Sequence, residues 1–213
     1  MILKIEFLGY WHAGSGQGSG HHVDAICLRN QQGLPFFPGR QLKGLLRHAL
    51  RRAEAWHLFK DVPVPVGPAS SIETLLFGSV SQSLDRNLTF PGMLQVSNAE
   101  LNQAEASFLA KPEQVNLREQ LFAEIFQTAI NSKTGTAVDH SLRGLEVCIP
   151  VSLFAEINLH QTAWDVDLIA QQRTWLSGCD PWLPIRQSLS LIDHAGAYRS
   201  RGLGEVKLSV GAN

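Results

Sequence analysis

The stretch Pro38-Gly39-Arg40-Gln41-Leu42-Lys43-Gly44-Leu45-Leu46-Arg47 decides how the rest of this chain of 213 residues is read. It opens a predicted helix running from about residue 40 to residue 56. At 100° per residue, Leu42, Leu45, Leu46, Ala49, Leu50 and Ala53 share one side, while Arg40, Lys43, Arg47 and Arg51 share another. Such a helix must bury its apolar stripe, and it leaves a basic ridge behind. Gly39 lets the backbone approach a ligand closely at the helix start, where free amides and the helix dipole favour an anion. Lys43 and Arg47, four residues apart, set two cations along the ridge. Phosphate contacts of this kind position an RNA without reading its bases.

The chain as a whole is close to neutral, with net charge −1 and a pI of about 6.7, which argues against a generic polyanion binder. The distribution is uneven, however. No acidic residue falls between Ala25 and Ala53, where Arg29, Arg40, Lys43, Arg47, Arg51 and Arg52 all stand. A locally basic surface on a near-neutral protein can hold a phosphate backbone selectively. Charge alone leaves a solvated helix face equally open.

With 44% hydrophobic and 17% charged residues, the chain fits one ordinary globular domain with a sizeable core. No apolar run approaches the roughly 20 residues that span a bilayer, so no membrane partner is expected. Met1-Ile2-Leu3-Lys4-Ile5-Glu6 alternates like a strand and does not resemble a signal peptide. Cys27, Cys148 and Cys179 are odd in number and widely spaced, which suits a reducing cytoplasm.

Outward from the helix, residues 2–8 and 21–28 read as strands on either side of a glycine-rich loop at 11–20. A Pro/Gly/Ser-rich loop at 61–71 precedes a short helix from Ser71 to Phe77, ended by Gly78. Residues 88–96 read as a strand interrupted at Pro91-Gly92. Leu117, Leu121, Phe122, Ile125, Phe126 and Ala129 suggest a second long amphipathic helix, followed by a polar loop at 131–136. Strands are expected at 145–149, 153–159 and 205–210, with helical stretches near 165–177 and 184–194. Helices that follow strands in this order give an α+β, ferredoxin-like core.

Several chemistries lack their required residues. Gly14-Ser15-Gly16 has Ser19 where a dinucleotide fingerprint needs its third glycine, and a strand is expected next. In the Gly39–Gly44 spacing the lysine precedes the second glycine, and no Ser or Thr follows to hold magnesium. His12, His21, His22 and Cys27 match no compact zinc pattern. No G-x-S-x-G elbow supports a serine triad.

The ordered motifs resemble those of the RAMP superfamily, the subunits of CRISPR effector complexes. They begin with Val23-Asp24-Ala25 and the run from Gly33 through Pro38-Gly39 to Arg47. Next come Leu76-Phe77-Gly78, Lys133-Thr134-Gly135-Thr136-Ala137, and Ser141-Leu142-Arg143 with Glu146. Arg199-Ser200-Arg201-Gly202-Leu203-Gly204-Glu205-Val206 closes the series. The length and motif order most resemble the repeated backbone subunit of type III effectors. Arg40 and Gln41 depart from the pattern, which usually has Ser or Thr there.

The resemblance implies one RAMP domain over 1–213. Its fold would be a modified RNA-recognition-motif core with thumb and lid segments inserted roughly at 57–87 and 98–144. It implies a guide RNA (crRNA), a target RNA or DNA, other effector subunits and further copies of the chain itself as partners. Guide contacts would fall on His12, His21, Gly39, Arg40, Lys43, Arg47, Arg51, Lys133, Arg199 and Arg201. Asp24 stands where target-cleaving members carry an aspartate that works with Mg2+ or another divalent cation. Two other roles stay open: a non-catalytic cap or scaffold subunit (an end-capping subunit or a type IV-like backbone), and a guide-processing ribonuclease using His12, His21 or His22.

Overall fold

The computed structural model describes residues 1–16, 23–79, 89–161 and 165–211. The first strand, β1 (Ile2–Phe7), alternates as expected, burying Leu3, Ile5 and Phe7. It is central in a four-stranded antiparallel sheet of order β2-β5-β1-β6, with β2 at Leu94–Val96, β5 at Ser152–Leu159 and β6 at Val206–Val210. Helix α1 (Gly39–Ala55) lies between β1 and β2 in sequence, while α5 (Val166–Gly178) and α6 (Leu183–Ser188) lie between β5 and β6. Counting only sheet strands, the order along the chain is β-α-β-β-α-β and the order across the sheet is 4-1-3-2. This is the ferredoxin-like α+β arrangement expected from the sequence.

The apolar stripe of α1 decides where the core sits. Leu42, Leu46, Ala49, Leu50 and Ala53 are all buried, and all but Ala53 join one cluster with Leu3, Ile5 and Phe7 of β1. Phe7 stacks on Trp11 at 4.2 Å between ring centroids, with Phe37 tilted against both. Helix α2 (Ile72–Phe77) begins in a capping box between Ser71 and Thr74 and ends at Gly78, whose φ of 91° suits glycine.

β2 and β5 are neighbours in the sheet, yet residues 97–151 separate them. That segment holds α3 (Gln103–Leu109), α4 (Val115–Glu119), and an antiparallel pair of β3 (Phe122–Gln127) with β4 (Arg143–Cys148). Here the expected long helix is corrected: a short α4 gives way to strand. Phe122, Ile125 and Phe126 satisfy a helical spacing, but Ala123 and Ile125, two apart, are the residues that pack on Leu145, Val147 and Leu203 in a second small core. Six residue pairs along β4 outweigh the local helical pattern.

Three smaller expectations also shift. The strand read at 21–28 is extended chain with isolated bridges in its described part, Ala25 to Leu145 on one side and Cys27 to Gly14 on the other. Residues 21 and 22 lie outside the described residues. Of the strand read at 88–96 only Leu94–Val96 is regular; Pro91 bridges Gly78, and residue 88 is outside the description. The helical stretch at 184–194 ends in a 3-10 turn at Leu189–Leu191. Among the described residues, no helix is long and apolar enough to cross a membrane.

Gly39 is needed by this packing. A Cβ there would stand 2.5 Å from the carbonyl oxygens of both Val96 and Ser97, which are backbone atoms at the end of β2. Gly39→Ala is therefore expected to lower stability by at least ~2 kcal/mol, read as a shifted urea midpoint. An unchanged midpoint would show that α1 can slide away from β2 at little cost.

Candidate nucleic-acid interface

The basic ridge of α1 is largely engaged with the protein itself. Lys43 Nζ donates to the Leu94 carbonyl at 2.6 Å, and burial, together with nearby Arg47, holds its ammonium below the ordinary lysine range. Arg47 Nε donates to Glu73 at 2.5 Å and its Nη2 to the Gly78 carbonyl at 2.8 Å. Arg51 makes two bonds to the same carboxylate, at 2.9 and 2.7 Å. Arg40 alone of the four is exposed without a side-chain hydrogen bond or ion pair among the described residues. The ridge thus fixes the roll of α1 against β2 and α2.

The helix start is occupied as well. The Gly39 N–H donates to the Asn98 side chain at 2.9 Å, and backbone carbonyls fill the space the missing Cβ leaves. The expectation that Gly39 opens the helix N-terminus to a ligand is corrected accordingly: its glycine serves internal packing.

His12 is corrected in the same way. It is 2% exposed; its Nδ1 lies 2.7 Å from the Glu146 carbonyl and 3.4 Å from Cys27 Sγ. An RNA phosphate outside has no access to that imidazole. Burial works against its charged form, but the Cys27 and Glu146 contacts outweigh it and raise the pKa. The neighbouring Cys148 thiol, with further help from His12, pulls Cys27 down to about 6. His21 lies outside the described residues. Arg29 is also engaged, pairing with Glu146 at 2.7 Å and Glu119 at 3.2 Å while lying over the Phe122 ring.

What His12 does is support the terminal glycine-rich loop. Its carbonyl accepts from Ala197 N at 2.9 Å, and a Cβ on Gly196 would come within 2.6 Å of that oxygen. The loop is tied at its base by Ala195 N to the Gly204 carbonyl, 2.7 Å, and by a His194–Glu205 bridge. Leu203 anchors it in the second core. At the tip, a 3-10 turn over Arg199–Arg201 sits between two left-handed residues, Tyr198 at φ 57° and Gly202 at φ 82°. Arg199 and Arg201 are exposed there, and neither has a side-chain hydrogen bond or ion pair among the described residues. Arg201 lies 5.6 Å from the Tyr198 ring centroid.

Two clefts flank this loop. One, of about 490 Å3, runs between it and α1, lined by Gly14, Gln41, Gly44, His48, Gly196 and Arg199 among others. The other, of about 840 Å3, opens between the loop and the β3–β4 pair, lined by Asp24, Thr128, Ser141, Arg143, Tyr198 and Arg201 among others. Asp24 is exposed and braced: one carboxylate oxygen accepts from Gly144 N at 2.9 Å, while its own N–H donates to the Gly144 carbonyl. Lys133 is exposed in the loop joining β3 to β4. His48 and Tyr198 were not read from the sequence as site residues, while Gln41 and Arg143 stood inside the motifs without a contact assigned to them. Gln41 and His48 are seven apart on one helix face, a spacing visible in the sequence but carried by side chains that are not cations.

A divalent ion at Asp24 finds little here to hold it. Among the described residues, no three His, Cys, Asp or Glu side chains gather in a way that could ligate a metal, and Asp24 offers one carboxylate. The described residues therefore do not make a resident cation site of their own.

The sequence profile of the RAMP superfamily matches residues 4–207. None of the curated proteins matches the chain in sequence. Among solved structures, it is similar to a chain of the type III-B Cmr-beta complex bound to cognate target RNA. That likeness has TM-score 0.63 and 10% identity, and covers 97% of this chain and 95% of the other. A chain of the same complex in its apo state gives TM-score 0.56 at 9% identity, with coverage of 98% and 95%. At such identities the likeness speaks to fold, and the profile match to kinship: this chain belongs to the RAMP superfamily.

Proposed function

We propose that this chain is a guide-RNA-binding subunit of a type III-like CRISPR effector ribonucleoprotein, joined there by other subunits and further copies of itself. The observation that carries the reading is a set of exposed arginines, Arg199, Arg201 and Arg143, none of them in a side-chain hydrogen bond or ion pair among the described residues, along clefts on both sides of one glycine-rich loop. A near-neutral protein that leaves these charges exposed while tying Lys43, Arg47 and Arg51 inward has a localised phosphate-binding face. Family membership and a fold shared with chains of an RNA-bound effector support it.

Cleavage of a bound target RNA is proposed at Asp24, the exposed carboxylate in the wider cleft. The non-catalytic scaffold reading draws on the same cleft, because Asp24 is a single carboxylate. One experiment separates them. With the reconstituted complex and Mg2+, wild type should cut target RNA, and Asp24→Ala should retain the RNA while losing at least ~100-fold in rate. Uncut target with the wild-type chain would establish the scaffold reading. Failure of the wild-type complex to hold guide RNA at all would overturn both.

A further inference from the structure

Gly44 is a glycine that the fold does not ask for. It lies in the second turn of α1 with ordinary helical backbone, outside the positive-φ residues, and it is exposed. Glycine is the least favourable residue in a helix interior short of proline. The other glycines nearby have structural reasons: a Cβ would meet His12 Nε2 at 2.9 Å from Gly14, the His12 carbonyl at 2.6 Å from Gly196, and β2 carbonyls at 2.5 Å from Gly39. A Cβ on Gly44 would meet nothing within 4 Å. The unfilled space opens into the cleft between α1 and the terminal loop.

The shape of that space is specific. Gln41, one turn before, and His48, one turn after, stand on the same helix face, so the missing side chain leaves a notch between them. Arg199 reaches the cleft from the opposite loop, and among the described residues the rest of its lining is glycine or apolar: Gly14, Gly196, Phe37, Leu45 and Ala197. Amides inside a helix are spent on its own hydrogen bonds, so the floor has few donors for a phosphate. It fits the apolar face of a planar ring, with a guanidinium and an imidazole able to stack and an amide able to meet the ring's polar edge.

We infer that the notch over Gly44 seats one unstacked nucleobase of the bound RNA, flanked by His48 and Arg199. This rests on the RNA-binding reading above. The test titrates the full-length chain with oligoadenylate, oligouridylate and an abasic ribose-phosphate oligomer of equal length, following fluorescence anisotropy. Wild type should prefer the base-bearing RNAs roughly tenfold, a typical yield of stacking one base. Gly44→Leu should erase that preference and bind all three at the abasic level. Gly44→Ala should raise the melting temperature, since its methyl meets open space. A preference that survives Gly44→Leu, or a wild type indifferent to bases, would overturn the base seat and leave RNA binding intact. A lowered melting temperature for Gly44→Ala would show the glycine to be structural and would likewise overturn the base seat. Wild type binding none of the three would overturn the RNA reading itself.

Discussion

Arg199→Glu combined with Arg201→Glu should reduce RNA affinity on the order of a hundredfold at low salt and leave the fold standing. Both guanidiniums are exposed at the tip of a turn, outside any ion pair among the described residues. Their reversal thus breaks no internal charge pair, and the stability change should stay within about 0.5 kcal/mol, the usual range at such surface sites. Among the described residues, the Arg201–Tyr198 contact at 5.6 Å is the side-chain interaction lost. Each phosphate contact to a single strand contributes a slope of about −0.7 in log K against log salt. Losing two should flatten the salt dependence by about 1.4. Isothermal binding at several salt concentrations, beside a thermal melt, reads both quantities. Unchanged affinity and slope would remove the loop from the interface.

Charge reversal at Lys43 or Arg47 would be less informative, for reasons that lie beyond what the sequence could carry. Periodicity correctly placed α1 and its apolar stripe, since the face a side chain occupies depends only on its own helix. It could not say what the ridge meets, because Glu73 and the Leu94 carbonyl come from elements 26 and 51 residues away. Reversing Lys43 or Arg47 would damage packing, so lost RNA binding in such variants would not identify a contact. Gly39 shows the same limit: it was read as a place for close approach by a ligand, yet the end of β2 fills that space, while Gly44 in the next turn faces an open cleft. β3 was misread because its apolar spacing satisfies both helix and strand, and only the distant β4 decides between them. His12 beside a glycine-rich stretch promised exposure, but a core formed around Trp11 and Cys148 takes the imidazole inside. The terminal loop was legible as a glycine-rich turn carrying two arginines because those residues are adjacent in the chain.

Glu73→Ala should destabilise the α1–α2 contact strongly, costing about 3 kcal/mol. The Glu73 side chain is 10% exposed and takes three hydrogen bonds from two arginines. Its removal leaves the Arg47 and Arg51 guanidiniums facing each other across a vacated space, with Arg47 25% exposed and still held to the Gly78 carbonyl. Truncating one member of a largely buried charge cluster costs more than the cluster's net worth, since the remaining charges lose their compensation. Arg51 is half exposed, so water offsets part of the loss and the lower end of the usual range applies. The same carboxylate should make stability fall in acid. Arg51, then Arg47, hold Glu73 below the ordinary carboxylate range against the opposing effect of burial. A group depressed on folding contributes fully above its unfolded pKa, and that contribution is lost as pH drops through the folded value. Urea unfolding at pH 7 and at pH 3 should therefore show a smaller difference between wild type and Glu73→Ala in acid. A gap below about 1 kcal/mol at pH 7 would mean the cluster behaves as a solvated surface pair. In that event the roll of α1, and with it the direction in which Gln41, Gly44 and His48 face, must be set by the apolar stripe alone.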